Sequence, residues 1–488
     1  MNRCSGVLMP VSALPSRFGI GDFGEKSKEF VDILADSGFH LWQILPLNPL
    51  GYGHSPYQPF SSFALDELYA DLDSLSAKGL IKKAPSYNEF ASKVLYENIR
   101  KFKEPYLKEA FSNEMKKDPN CLNSFVSSHP WVNDWSIFMM NKRRNDLRSW
   151  DNWSKEQQAM IEREKPLTAE EKVLSTYEVW LQKTLYEEWD ALHSYANSKG
   201  IKIVGDVPFY VGYDSCDVWA NQGCFLLDKK TKQPLWIAGV PPDYFSATGQ
   251  RWGNPIYDWD ELERRDFSFI INRLKLNGSL YDIIRLDHFR AFDTYWKIPA
   301  SCPTAIEGSW IEAPGYKFFD TFLRKVPNLE IIAEDLGDLR PEVLTLRDHY
   351  NFPGMNVIEF TFFDAEIAHK NGYDRENMVA YLGTHDNQPL KAFYQALPLK
   401  DQSEWDRALD IRQFPKGNIN ERFINYEMSL KAKYAIFALQ DILGLGDEAR
   451  LNKPGIIDDV NWTWRMTDYS SLIGLSKHLK SLNEQYRR

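Results

Sequence analysis

The stretch that decides the fold is YDIIRLDHFRAF, residues 281–292. Ile283 and Ile284 begin an apolar, β-favouring run that ends in Arg285 and Asp287, which is typical of a buried strand opening into a polar mouth. Alternate residues of a strand share a face, so Arg285 and Asp287 are predicted to lie side by side. A guanidinium favours the charged form of a neighbouring carboxylate, which suits a nucleophile or an electrostatic stabiliser. A purely structural ion pair is the alternative.

Residues 329–337, LEIIAEDLG, repeat the pattern of an apolar run that ends in acidic residues. A carboxyl group at the rim of such a run is partly desolvated, which raises its pKa, and a general acid working near neutral pH needs a raised pKa. Glu334 is therefore predicted to be the proton donor. Asp335 is expected to point to the other face of the strand, because adjacent strand residues alternate.

A third stretch of this kind is MVAYLGTHDNQP, residues 378–389. Parallel strands that close into a barrel bring such ends to one rim, so Asp287, Glu334 and Asp386 are predicted to meet there. Two carboxyl groups flanking one bond are the equipment of a retaining glycosidase, and a third carboxylate with His385 would bind substrate hydroxyls. A metal site is the competing interpretation, but spacings that supply several ligands from one element are absent from the sequence.

The N-terminal part of the chain predicts the fold class. Residues 6–14 and 41–47 have the pattern of buried strands, and a helix capped by Asp22 is predicted between them. This strand, helix, strand order is the building block of parallel sheets. A further strand over residues 202–211 carries Asp206, which is expected either to orient a sugar or a neighbouring side chain, or to be satisfied by local backbone amides.

Insertions are predicted to interrupt a single catalytic barrel that spans the chain of 488 residues. Residues 65–166 are polar and helical in pattern, which indicates an inserted helical subdomain. A long helix follows, with Thr168 and Glu171 forming a capping box. A second insertion is expected over residues 211–280.

Composition limits the function classes. A net charge of −10 gives no basic surface for nucleic acid or for an anionic membrane. The five cysteines are scattered without C-x-x-C spacing, which indicates neither a disulfide framework nor a zinc site and fits a reducing compartment. No apolar run is long enough for a signal peptide or a membrane span, so a cytoplasmic location is predicted.

The aromatic content of 14% is the distinctive feature, since Trp and Tyr in loops can stack on sugar rings. Residues 48–63, NPLGYGHSPYQPFSSF, are predicted to form an ordered binding loop at the carboxyl end of a strand; a surface loop with packed tyrosines is the alternative. Residues 239–259 are too long and too rich in aromatics, Gly and Pro for a connector, and they suggest a lid or acceptor platform. The aromatic and amide side chains of this segment are Tyr244, Phe245, Trp252, Asn254 and Tyr257.

Taken together, these stretches resemble the 4-α-glucanotransferases of glycoside hydrolase family 77, within the α-amylase-like group of barrels. The motifs that carry the resemblance cover nearly the whole chain: SALPS, GYGHSPYQPFSSF, GDVPFYVGYDSCDVWA, PPDYFSATGQRWGNPIYDW, IIRLDHFRAFDTYWKIPA, IIAEDLG, LGTHDN, LGLGDEARLNKPG and NWTWR. The resemblance implies an α/β fold, a (β/α)8 TIM barrel. It also implies Asp287 as nucleophile, Glu334 as acid/base and Asp386 as transition-state stabiliser.

The resemblance further implies a retaining transfer of α-1,4-glucan segments between maltooligosaccharides, with glucose as an acceptor and with no cofactor, nucleic acid or membrane involved. An α-amylase-type hydrolase and a non-catalytic glucan-binding protein are the alternatives. Positions that depart from the family pattern lie outside the trio: Ala291, Gln388, Pro389 and Val460. The residues expected to bind substrate are Tyr52, Ser55, Tyr57, Asp206, Tyr244, Trp252, Asn254, Arg285, His385, Asn461 and Trp462.

Overall fold

The computed structural model describes residues 3–88, 90–159, 166–242, 246–363, 375–414, 417–456 and 458–488, and of Tyr52 only the backbone. In chain order the strands of these residues are β1 (Cys4–Leu8), β2 (Leu41–Gln43), β3 (Lys202–Val207), β4 (Trp236–Val240), β5 (Gln250–Pro255), β6 (Ile283–Leu286), β7 (Thr294–Pro299), β8 (Ser309–Glu312), β9 (Glu330–Ala333), β10 (Gly354–Val357), β11 (Met378–Tyr381) and β12 (Tyr434–Ala438).

Eight of these strands form one parallel sheet, in the order β10-β11-β12-β1-β2-β3-β6-β9. The two end strands meet, because the N–H of Ala333, the last residue of β9, donates to the carbonyl of Pro353, just before β10, at 2.8 Å. The strands therefore follow one another around a nearly closed barrel in chain order. The predicted (β/α)8 barrel is confirmed.

Alternation along the strands divides the side chains between two cores. Ile283 and Ile332 belong to a cluster inside the barrel, whereas Ile284 and Ile331 belong to the larger core between the barrel and its helices. Since alternate residues share a face, the residues that follow Ile283 at intervals of two also point into the barrel mouth.

Helices surround the barrel. The long helix before β3 begins at the predicted capping box, in which the N–H of Thr168 donates to Glu171 at 2.9 Å and the N–H of Glu171 donates to Thr168 at 3.2 Å. The α-helices are Glu25–Asp36, Leu72–Ala77, Tyr96–Lys117, Asn123–Ser128, Val132–Arg144, Lys155–Gln158, Ala169–Ser198, Cys216–Ala220, Trp259–Arg264, Ser268–Leu280, Gly315–Lys325, Pro341–His349, Ile358–Thr361, Leu390–Ala396, Leu399–Ile411, Ile419–Ser429, Leu439–Ile442 and Ser470–Tyr486.

A second, antiparallel sheet stands over the barrel mouth in the order β5-β4-β7-β8. Its strands come from both sides of β6 in the chain, so the sheet connects the segment after β3 with the segment after the predicted nucleophile. The sequence motifs predict a lid in this region but not a sheet.

Predicted and observed elements differ at their ends. The strands predicted over residues 6–14, 41–47 and 202–211 end at Leu8, Gln43 and Val207. Proline follows each strand closely and cannot donate a hydrogen bond to a sheet; these prolines are Pro10, Pro46 and Pro208.

The prediction that Asp22 caps the first helix is wrong. This helix begins at Glu25, with Gly24 as its N-cap and no side-chain capping bond. Asp22 instead accepts from the N–H of Gly24 at 2.9 Å and from the hydroxyl of Ser16 at 2.6 Å, which fixes the turn before the helix.

Candidate active site

Arg285 lies at the inner rim of the barrel and is shared between two carboxyl groups. Only 4% of its surface is exposed. One guanidinium nitrogen donates to Asp206 Oδ2 at 2.6 Å, and another lies 3.2 Å from Asp287 Oδ1. Burial disfavours its charge, but the facing carboxylates of Asp206 and Asp287 outweigh burial and raise the pKa of Arg285 above its ordinary value. Arg285 is therefore a fixed cation that positions both carboxyl groups.

Asp287 is partly open, with 28% of its side chain exposed. Burial raises the pKa of Asp287 well above its ordinary value, and Arg285 only partly opposes this rise. The nearby charges of Asp206, Glu334 and Asp386 raise this pKa further. The effect of Arg285 on Asp287 has the direction that the sequence predicts, but it is smaller than the effect of burial. The physical reason is that several carboxyl groups compete for one guanidinium, and Asp206 holds it more closely.

Both carboxyl oxygens of Glu334 accept main-chain hydrogen bonds at the end of β9. The N–H of His288 donates to Oε2 at 2.7 Å, and the N–H of Leu336 donates to Oε1 at 3.0 Å. Burial raises the pKa of Glu334, and Arg285 and the two N–H groups reduce this rise without cancelling it. A raised pKa is the property that the sequence predicts for this residue.

The neighbouring Asp335 points away from the mouth. It is fully buried, bonded to the guanidinium of Arg347, and accepts from the N–H of Met355 at 2.7 Å. Only Glu334 of the adjacent pair faces the barrel mouth, as strand alternation predicts.

A chain of polar contacts crosses the rim from Asp386 to Asp206. Oδ2 of Asp386 lies 3.5 Å from Nε2 of His385, which contacts the hydroxyl of Tyr57 at 2.7 Å. Tyr57 donates to Asp206 Oδ2 at 2.7 Å, so its oxygen accepts from the Nε2–H of His385. Burial lowers the pKa of His385, so the ring is neutral and carries its proton on Nε2. Arg285, which contacts both Asp206 and Asp287, extends this series of contacts to Asp287.

Asn452 and Arg450 hold Asp386 from the loop after β12. The amide of Asn452 donates to Asp386 Oδ1 at 2.6 Å, and Arg450 donates to the Asp386 carbonyl at 3.2 Å. Arg450 also donates to the carbonyl of Asn452 at 2.7 Å. Neither residue is singled out by the sequence, although both lie in the motif LGLGDEARLNKPG. The available signal was a pair of polar side chains in a loop bounded by glycines and a proline.

The platform segment contacts the site through Trp252 on β5. Its ring lies 4.9 Å from the imidazole of His288. Asn254 is buried, donates to the carbonyl of Val211 at 2.9 Å and accepts from Gln58 at 3.0 Å. Asn254 therefore anchors β5, and its amide is not turned toward the mouth. Tyr244 and Phe245 and the side chain of Tyr52 lie outside the described residues.

The remaining predicted residues border the mouth. The ring of Trp462 lies 5.8 Å from that of Tyr57. Ser55 accepts from the N–H of Tyr57 at 3.3 Å and so shapes the binding loop. Asn461 is buried, accepts from the N–H of Lys453 at 2.9 Å and closes its own loop. Tyr57 and Trp462 are therefore turned toward His385, whereas Asn461 is used internally.

The described residues contain no group of three or more His, Cys, Asp or Glu side chains arranged to hold a metal ion. Within the same part of the chain, no helix is both long and apolar enough to cross a bilayer.

A family profile described as 4-alpha-glucanotransferase, glycoside hydrolase family 77, matches residues 9–471. The chain belongs to this family. The 4-alpha-glucanotransferase of Clostridium butyricum is 38% identical over 98% of this chain and 100% of the relative. The 4-alpha-glucanotransferase of Aquifex aeolicus is 39% identical over 96% of each chain.

Solved structures of family 77 proteins have the same fold. The amylomaltase from Streptococcus agalactiae in complex with acarbose matches with a TM-score of 0.93 and 35% identity, covering 100% of this chain and 99% of that chain. The amylomaltase from Corynebacterium glutamicum matches with a TM-score of 0.76 at 17% identity, covering 100% and 75% of the two chains, and supports the fold alone. The predicted family and transferase class are confirmed, and the non-catalytic alternative is set aside.

Proposed function

We propose that the chain is a retaining 4-α-glucanotransferase in which Asp287 is the nucleophile, Glu334 the acid/base and Asp386 the stabiliser. The observation that carries this assignment is the network at the rim. Asp287 contacts Arg285, Asp386 is linked to Arg285 through His385, Tyr57 and Asp206, and Glu334 accepts from the N–H of His288, the residue after Asp287. The substrate class is α-1,4-glucans, as in the named relatives.

In the first half-reaction, Glu334 donates a proton to the glycosidic oxygen while Asp287 attacks the anomeric carbon. The bond from that carbon to the glycosidic oxygen breaks, and a bond to the Asp287 carboxylate forms. The fragment on the reducing-end side leaves with a new 4-hydroxyl group. Because Asp287 must be ionised and Glu334 protonated, the pair has to hold one proton between them.

In the second half-reaction, Glu334 acts as base. It takes the proton of an acceptor 4-hydroxyl group, whose oxygen attacks the anomeric carbon and displaces Asp287. Asp386, fixed by Asn452, and the neutral His385 beside it would hold hydroxyl groups of the same sugar ring during both steps.

Transfer competes with hydrolysis at the second step. Correct orientation of a reactant can supply roughly 7–11 kcal/mol of the barrier, so a sugar held over the site can outcompete abundant water. We propose that β5 with Trp252 supports this acceptor, and that glucose or the end of a glucan can serve. The cytoplasmic location and the two inserted subdomains over residues 65–166 and 211–280 stay predictions.

Incubation with pure maltotriose tests the reaction. A transferase produces glucose and a ladder of oligosaccharides longer than the substrate, whereas a hydrolase produces only shorter sugars. A product mixture without longer sugars would contradict the proposed transferase activity and favour an α-amylase-type hydrolase.

Asp287→Asn and Glu334→Gln test the assignment of roles. Each change is expected to lower turnover by about 10²–10⁴ while leaving sugar binding. Matched controls are Asp282→Asn and Glu330→Gln, which alter carboxyl groups at the opposite ends of β6 and β9. Near-normal turnover in either rim variant would overturn the role of that residue.

A further inference from the structure

His288 follows the proposed nucleophile and has an unusual backbone conformation. Its φ of 50° and ψ of 48° lie in the left-handed region, which residues with a side chain rarely adopt. Strained positions of this kind persist only where the surroundings enforce them, and they cluster at functional sites.

The main chain of His288 fixes the proposed acid/base. Its N–H donates to Glu334 Oε2 at 2.7 Å, and the next N–H, of Phe289, donates to the carbonyl of Glu334 at 3.0 Å. The turn after β6 therefore holds both the side chain and the backbone of Glu334. The φ and ψ of His288 set the angle between the two peptide planes that carry these N–H groups, so both reach Glu334 together only in the left-handed conformation.

The side chain of His288 lies against the platform over the mouth. The imidazole meets the ring of Trp252 edge-on, with centroids 4.9 Å apart at 85°, and the ring of Tyr210 lies 6.4 Å away. Edge-to-face packing at this distance is favourable. Burial and the nearby Arg290 lower the pKa of His288 to about 4, so its imidazole is neutral near neutral pH.

Trp252 itself is fixed by the platform strand. Its indole N–H donates to Gln250 at 3.1 Å, and its carbonyl accepts from Gln58 in the loop after β2 at 3.1 Å. A displacement of β5 would therefore move the ring that packs on His288.

We propose that His288 is a positioning residue that couples Trp252 on β5 to the carboxyl group of Glu334. The ring contact keeps His288 in its left-handed conformation, and that conformation lets its N–H and the N–H of Phe289 reach Glu334 together. The position of the acceptor platform is thereby transmitted to the group that gives and takes the proton. This inference rests on the role of Glu334 under the proposed function.

His288→Asn is the decisive variant. Asn keeps the N–H and is not barred from the left-handed region, but it lacks the ring whose contact with Trp252 holds that conformation, so a loss of activity reports the missing contact. We expect kcat on maltotriose to fall about tenfold or more, with KM changed less than twofold, because the proton donor is misplaced and substrate contacts remain. The alkaline limb of the kcat profile should move to higher pH, because a weakened N–H bond favours the protonated carboxyl group of Glu334. The charged groups facing Glu334, which are Arg285, Asp287 and Asp335, are unchanged in this variant.

A double-mutant cycle with Trp252→Leu separates coupling from two independent effects. If the coupling exists, the double variant loses little more kcat than the worse single variant. His288→Phe, which restores an aromatic ring without an imidazole, should recover part of the loss. The matched control is His349→Asn on the helix Pro341–His349, which should keep wild-type kcat.

Additive losses in the cycle, or a His288→Asn variant with wild-type kcat and an unmoved alkaline limb, would overturn this proposal. If Glu334→Gln is inactive in the same assays, the proposed function survives that result. If Glu334→Gln is active, the proposed function itself fails. Melting temperatures within about 2 °C of wild type would show that each variant is folded.

Discussion

At the scale of single residues, Asp206 decides how the rim is charged. It binds Arg285 at 2.6 Å and adds a negative charge near Asp287, which raises the pKa of Asp287. In Asp206→Asn, Arg285 is released to Asp287 and one negative charge is lost. The pKa of Asp287 should then fall, and the acid limb of the kcat/KM profile should move to lower pH by about one unit.

The pH profile of Asp206→Asn has to be compared with that of a matched variant. Asp282→Asn, at the base end of β6, should leave the acid limb in place, because its carboxyl group binds His193 instead of the rim. An acid limb that stays in place, or moves to higher pH, in Asp206→Asn would contradict the prediction. Kinetics over a pH series with a fixed salt concentration provide the measurement.

The same residues show what sequence can predict about the site. Strand alternation alone predicts that Arg285 and Asp287 lie close together. It also predicts that Asp335, next to Glu334, points away from the barrel mouth. The raised pKa of Asp287 does not follow from the local pattern, because it depends in part on Asp206, which binds Arg285 from 79 positions earlier in the chain. The local sequence pattern therefore predicts which side chains face the barrel mouth, but it does not predict how their charges shift one another's pKa values.

At the scale of elements, Gly205 shows how closely β3 and β6 pack. A β-carbon on Gly205 would lie 2.0 Å from a ring carbon of Tyr281, which is shorter than any real contact. Gly205→Ala is therefore expected to lower the free energy of unfolding by about 1–3 kcal/mol through overpacking. Urea unfolding measures this loss.

Gly474→Ala is the matched control for that substitution. Gly474 lies in the helix Ser470–Tyr486, and no atom lies within 4 Å of its added β-carbon. Alanine should there raise the free energy of unfolding by about 0.5–1 kcal/mol, because glycine is the weaker helix former. Similar effects of the two substitutions would contradict the packing argument.

Element boundaries also show where sequence patterns stop being informative. The apolar runs continue past the strands, because residues beyond Leu8, Gln43 and Val207 stay buried after the strand has ended. Hydrophobicity alone therefore extends a strand too far. The prolines after each strand were the better signal, since proline cannot continue the hydrogen-bond ladder.

At the scale of the whole molecule, the barrel could be predicted because three separate stretches share one pattern. Each is an apolar run with a carboxyl group at its end, and one closed sheet is the arrangement that unites them. The antiparallel sheet over the mouth could not be predicted, because its strands β4 and β7 pair although they are separated in the chain by a long segment that includes β6. The hydrogen bond from Asn452 to Asp386 likewise joins residues that are far apart in the chain.

The pH dependence of global stability should be governed in part by Glu188, on the long helix Ala169–Ser198. Burial raises the pKa of Glu188 to about 8. Its Oε2 accepts a hydrogen bond from the N–H of Asp71 at 2.9 Å, and its buried Oε1 has no hydrogen-bond partner. The folded protein therefore keeps a proton that the unfolded chain releases above pH 4.5. Stability should fall as pH rises from about 4.5 towards 8, by up to about 1.4 kcal/mol per unit from this group.

Glu188→Gln removes this titrating group and should therefore reduce the loss of stability between pH 4.5 and 8. Urea unfolding at pH 5.5 and 7.5 should show a loss about 1–2 kcal/mol smaller in the variant than in wild type. Glu187→Gln, whose side chain is 48% exposed, is the adjacent control and should keep the wild-type slope. Asp71 lies at the start of the helix Leu72–Ala77 and Glu188 on the helix that leads into β3, so the titration acts where these two helices meet. Equal slopes in wild type and Glu188→Gln would mean that Glu188 is ionised in the folded protein.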